Sequence, residues 1–467
     1  MIFTPKKLIP AEGCFRFVGP VEAVAHPRLS AGAILDFWKN FTYGQSTLSV
    51  TCTDTCGFSV GTAEALDLEG YAYSLCVEEG GISLCARDEN SLVHGFMTLL
   101  DRMTLTETED GSVVEVASCR IWDSPSVDVR MVHFCIFPET ELWELQRFLR
   151  LSAALKYTHA VLEFWGMYAY DCMRELAWAH AYTKEQLSPI LREARELGLE
   201  LIPMFNHWGH ATASRVMHGK HVVLDQAPEK QIYFTETGWC WDITKPSVRA
   251  LLRQVRAELM ELCGEGSYFH VGCDEAYGYD LNPVENRDAI CDFLNEIAEE
   301  MAAYGRRILA WGDMFLYRHP HYNRGYCCLS ASAESEAYML AWLDKRVILA
   351  DWQYTPGRGM VETTEVFVRA GFDSLICPWD CGVDHTDGCL TTAKAEGVMG
   401  ILHTTWHTLS AGTPYVMLTA VGAYDGDFPR DFGVFATRTA ALLRKAAPVG
   451  GEYHRAGWSK KQIDVRW

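Results

Sequence analysis

Basic residues are in short supply. Lys and Arg together number 41 against 61 Asp and Glu, a formal net charge of −20 at pH 7. A chain this acidic repels phosphate backbones and anionic lipid, so neither nucleic acid nor a membrane surface is expected as a partner. Long apolar runs are missing too, since none approaches the ~20 residues that span a bilayer. The opening stretch MIFTPKKLIPAEGCF lacks the apolar centre of a secretory signal. Among the seventeen cysteines there is no C-x-x-C pair, so no zinc-ribbon spacing and no metal is expected. Their odd number, and their placement in apolar segments at Cys76, Cys85 and Cys135, fit reduced thiols in a reducing compartment; the cytoplasm is the expected location. No internal repeat stands out. No Gly-rich loop follows the first strand of the α/β pattern, which counts against a doubly wound nucleotide-binding sheet. No cofactor is expected, and oligomeric state is not specified.

What is present suffices for a large core. The chain has 467 residues, 49% of them hydrophobic, and fifteen are Trp. That length suits a catalytic domain with a smaller companion. Residues 1–122 are expected to form a small supporting α/β domain. In it Tyr71–Val77 alternates like a strand, Glu79-Gly80-Gly81 signals a hairpin, Ile82–Ala86 is a second strand, and Ser91–Met103 has helical spacing. Residues 123–446 change to strand–helix alternation, and 447–467 are left as a tail. The expected strands are Val127–Phe134, His159–Phe164, Leu199–Asn206, Tyr268–Gly272, Arg307–Trp311, Val347–Trp352, Ser374–Pro378 and Gly400–Thr404. Eight short apolar strands separated mostly by Gly-terminated helices predict an α/β fold of the (β/α)₈ TIM-barrel type.

A barrel of this kind carries its chemistry where the strands end. Those ends read Asn206-His207-Trp208-Gly209-His210, His270 to Glu275, Trp311-Gly312-Asp313, Asp351-Trp352-Gln353-Tyr354, Trp379-Asp380 and His403 to His407. Any single Trp or His there is more often packing than ligand contact. Together they form a ring of acids, histidines and indoles. Asp274-Glu275 is its sharpest feature. Two close carboxylates resist ionising together, and one charged and one protonated acid make a kit for acetal hydrolysis.

His270-Val271-Gly272-Cys273-Asp274-Glu275 resembles the H-x-G-x-D-E signature of family 20 glycoside hydrolases, the β-N-acetylhexosaminidases. The likeness extends over most of the chain. Glu69 to Leu100 looks like that family's small leading domain. Asp123-Ser124-Pro125 with Arg130 is similar to its entry into strand one, and Ile202-Pro203 through Gly209-His210 resembles its strand-three motif. The resemblance implies an exo-acting, retaining enzyme that removes terminal β-linked GlcNAc or GalNAc. Glu275 would be the general acid and then the base. Asp274 would orient the substrate's 2-acetamido group, whose carbonyl oxygen attacks the anomeric carbon to give an oxazolinium-like intermediate. His210 would support Glu275, and Arg130 would hold sugar hydroxyls. Trp311, Trp352 and Trp406 would wall the sugar, with His270, Trp379 and Asp380 also at the substrate. The sequence departs from the family pattern in three places. Glu163-Phe164-Trp165-Gly166 stands where an Asp follows strand two, no Tyr follows strand seven, and Met131 rather than Gly follows Arg130. Tyr354 is the expected replacement for that Tyr. Two other readings are a metal-dependent barrel hydrolase or isomerase, using His207, His210, His270, Asp274 and Glu275, and a non-catalytic sugar-binding barrel.

Overall fold

The computed structural model describes residues 2–449, apart from 109–110, 213–222, 321, 323–324, 355–358, 407–408, 410–411 and 429. Most of the tail 447–467 therefore lies outside the described residues.

Eight parallel strands close into a barrel in chain order. They are Val129–Cys135, His159–Glu163, Glu200–Met204, Tyr268–His270, Arg307–Trp311, Ile348–Asp351, Ser374–Ile376 and Val398–His403. The eighth pairs with the first, Ile401 opposite Arg130, so no edge is left open. Side chains alternate in direction along each strand. Met131, Val161, Ile202, Leu309, Ile348, Leu375 and Leu402 fill the interior, while neighbours such as Val132, Leu162 and Ile401 pack outward with the helices. All eight expected strands are found within a few residues. Five α-helices among the described residues were not foreseen: Gly32–Phe41, Val223–Gln226, Ala333–Trp342, Val383–Ala393 and Thr413–Asp425. The last is buried on nearly every side, which erases the two-faced spacing that marks a helix in sequence.

Ahead of the barrel lies an eight-stranded sheet, larger than the hairpin and helix foreseen. Its hairpin is Tyr73–Glu78 with Gly81–Ala86. The helix Glu89–Asp101 packs on that hairpin, and the Asp88 side chain caps it by accepting from the Ser91 N–H at 2.7 Å. The long strand Gly111–Asp123 leads into the barrel. At that junction Lys156, fully buried, lies 3.6 Å from the Asp123 carboxylate and donates to the Tyr73 hydroxyl at 3.1 Å. Among the described residues no helix is long and apolar enough to cross a membrane.

Candidate functional site

Strand four stops at His270, and the chain turns sharply. Gly272 and Cys273 have φ of 68° and 77°, and Glu275 has φ of 44°. Consecutive residues of a regular strand face opposite ways. Here the left-handed backbone swings Glu275 back toward Asp274. The imidazole Nε2 of His210, itself at φ 56°, lies 3.2 Å from the Asp274 carboxylate and 3.3 Å from that of Glu275. Non-glycine residues in this region carry strain of about 1–3 kcal/mol each. Gly209 permits the approach: a Cβ there would lie 2.2 Å from the Asp274 carbonyl oxygen.

The two acids differ in access. The Asp274 side chain is 8% exposed and that of Glu275 27%. Asn206 donates to Asp274 at 3.4 Å. The Tyr277 hydroxyl donates to one Glu275 carboxylate oxygen, and the Trp239 indole donates to the Glu275 carbonyl. Asp313, buried at the end of strand five, accepts the Glu275 N–H at 2.9 Å and the Trp352 indole N–H at 3.0 Å. Asp313 thus ties the acid-bearing turn to the aromatic wall. Trp352 contacts Tyr354 (ring centroids 5.1 Å apart), and Tyr354 contacts Trp379 at 5.1 Å. The Trp406 indole donates to the Tyr354 hydroxyl at 2.6 Å. Asp380 stands half-buried beside Trp379.

Several expectations are corrected. Arg130 does not reach the rim. Its guanidinium is buried low on strand one and donates to the carbonyls of Val127, Asp128 and Lys156, with Tyr424 against it. Trp311 and His270 are fully buried, 4.3 Å apart, so they form the floor beneath the wall and offer no surface to a ligand. His207 turns outward, its Nδ1 2.6 Å from the Phe205 carbonyl and its ring against Phe269, so it takes no part in a cation site at the acids. His407 lies outside the described residues. Tyr277 and Trp239 were passed over, because neither a lone Tyr two positions past an acid nor a loop Trp has a distinguishing spacing. Asp313 was visible only as a strand end.

Burial, and then the charge of Asp274, push the Asp313 carboxyl up to about 8. An unfolded Asp titrates near 3.9. Between about 4 and 8 the folded protein therefore holds a proton that the unfolded chain has released. This stabilising contribution is complete below that window and is lost as pH rises through about 8, at no more than ~1.4 kcal/mol per pH unit. Asp313→Asn carries no titratable proton. Its Tm is expected to fall less steeply than that of the wild type between about pH 5 and 8; parallel Tm–pH curves would remove the proton from Asp313.

Among the described residues two clusters bring three possible metal ligands within 4.8 Å of one another: His210, Asp274 and Glu275, and His133, Cys135 and Glu163.

Residues 156–355 match the family model described as glycosyl hydrolase family 20, catalytic domain. No curated protein matches the chain in sequence. Solved structures share its fold. A β-N-acetylhexosaminidase from Bacteroides fragilis is 15% identical with a TM-score of 0.68, covering 94% of this chain and 93% of that one. The Streptomyces plicatus N-acetyl-β-hexosaminidase, in complex with thio-NAglucal, is 16% identical with a TM-score of 0.66, covering 96% and 94%. A family 20 exo-β-N-acetylglucosaminidase from Vibrio harveyi, in complex with N-acetylglucosamine, is 14% identical with a TM-score of 0.68, covering 96% and 78%.

Proposed function

We propose that the chain belongs to glycoside hydrolase family 20, whose catalytic-domain model matches residues 156–355, and that it is an exo-acting, retaining β-N-acetylhexosaminidase for terminal β-linked GlcNAc or GalNAc. The observation that carries the reading is the convergence of Asp274 and Glu275 on one nitrogen of His210. Two neighbouring acids facing a single point can act on one sugar.

In this mechanism Glu275, the more accessible acid, protonates the leaving oxygen and later takes a proton from water. Asp274, enclosed and held by Asn206 and His210, stays anionic against the substrate's acetamido N–H. It thereby stabilises the positive charge that develops as the acetamido carbonyl oxygen attacks the anomeric carbon. The nucleophile belongs to the substrate, so the two enzyme carboxylates need no gap for an ester or a water between them. Trp352 and Trp406 flank the sugar. Tyr354, lying against Trp379, supplies from strand six the hydroxyl that the family takes from strand seven. Asp380 meets the distal hydroxyls. None of the seventeen cysteines, all among the described residues, forms a disulfide, which supports a reducing compartment such as the cytoplasm.

Aryl N-acetyl-β-hexosaminides assayed beside plain hexosides test the reading. The N-acetylated substrates are expected to be strongly preferred. Asp274→Asn is expected to lower turnover on them by about 10²-fold, as for other losses of a preorganised electrostatic partner. Equal losses on both substrate classes would contradict the use of the acetamido group.

A further inference from the structure

The second cluster lies at the ends of strands one and two. His133 and Cys135 are two residues apart on strand one, so both face the barrel interior. Glu163 closes strand two and pairs directly with Cys135 in the parallel register. All three are buried. One Glu163 carboxylate oxygen lies 3.1 Å from His133 Nε2 and 3.3 Å from Cys135 Sγ, and those two atoms are 3.7 Å apart.

That triangle has the dimensions of a coordination face. Zinc binds nitrogen at about 2.0–2.1 Å, sulfur at about 2.3 Å and carboxylate oxygen at about 2.0–2.2 Å, which in a tetrahedron sets the ligand atoms about 3.3–3.6 Å apart. Imidazole, thiolate and carboxylate together also suit zinc better than the hard cations, which take oxygen alone. We propose that His133, Cys135 and Glu163 supply three protein ligands to a buried zinc ion.

Binding releases the thiol proton, because the metal takes the thiolate. Zinc takes the lone pair of His133 Nε2, so the ring N–H of the bound form is on Nδ1. The Thr405 N–H contact to Nδ1 is long at 3.4 Å and little is lost with it. Bound zinc would brace the first two strands beside Trp406, whose ring lies 4.6 Å from that of His133. Sequence spacing concealed the site, since Cys135 and Glu163 stand on different strands and meet only through sheet register.

The inference does not depend on the glycosidase reading, and its test needs no sugar. The full chain, stripped with a chelator, is titrated with Co²⁺ and then with Zn²⁺. One equivalent of Co²⁺ is expected to give a sulfur-to-metal charge-transfer band, which Zn²⁺ then abolishes. Cys135→Ala is expected to lose the band and to bind Zn²⁺ at least about 100-fold more weakly, a loss beyond that seen for outer-shell partners. Glu163→Gln keeps the thiol and is expected to weaken Zn²⁺ binding too, which covers the case of a Cys135 variant that does not fold. His210→Ala is expected to leave the band and the affinity intact. The proposal is overturned if no metal binds, if the band survives Cys135→Ala, or if Co²⁺ binds without the band and is lost with His210→Ala, which would place the ion at the acid pair.

Discussion

Glu275→Gln is expected to lower turnover by about 10²–10⁴-fold, the range a positioned general acid supplies. The substitution is nearly isosteric and leaves the Tyr277 hydroxyl and His210 in place beside the side chain. Sugar binding is therefore expected to persist, so the loss falls on kcat and KM changes by no more than about 3-fold. Leaving-group dependence sharpens the test. An aryl glycoside with a strongly acidic phenol needs no proton to depart, so the variant should recover most on that substrate and least on a disaccharide. Wild-type-like turnover of a poor leaving group would end the assignment of the acid to Glu275.

The largest expected change in stability lies at the junction of sheet and barrel. The Asp123 carboxylate accepts from the Tyr73 hydroxyl at 2.7 Å, the Ser124 N–H at 3.0 Å and the Lys6 N–H at 3.1 Å, and it faces the Lys156 ammonium. Lys156 is wholly enclosed, with the Tyr424 ring 4.0 Å and the Phe3 ring 4.4 Å from its nitrogen. Burial draws the Lys156 ammonium down to about 8 despite the opposing pull of Asp123, Asp425 and Asp101. Asp123→Ala leaves that ammonium buried without its nearest countercharge. Breaking such a pair costs about 3–5 kcal/mol, a large share of the ~5–15 kcal/mol that holds a typical domain together. Denaturant unfolding measures it. A loss below about 1 kcal/mol would mean that the pair behaves like an exposed one. Lys156→Met removes the charge itself and is expected to cost less.

The barrel was legible because its strands are apolar runs cut by helices with distinct faces. The leading sheet was largely hidden. Its first strand, Lys7–Phe17, carries Pro10, Glu12 and Gly13 and is exposed over most of its length, so it lacks the alternation that marks a half-buried strand. At the rim, Asp274, Glu275 and His210 lie together. Arg130 went elsewhere because resemblance transfers a residue type, while the strand register decides whether the side chain lies at the top or the bottom of the barrel. Trp311 and His270 show the same limit. Both stand at strand ends, yet both point inward, and there the interior is already closed.

The turn after strand four also bears on how portable the motif is. Its bend keeps two non-glycine residues in left-handed backbone, an arrangement a free peptide would relax out of. The surrounding barrel supplies the restraint, through the Asp313 carboxylate on the Glu275 amide and the bare α-carbon of Gly209 beneath Asp274. Grafted as six letters onto another loop, H-V-G-C-D-E would carry both acids and lose their convergence.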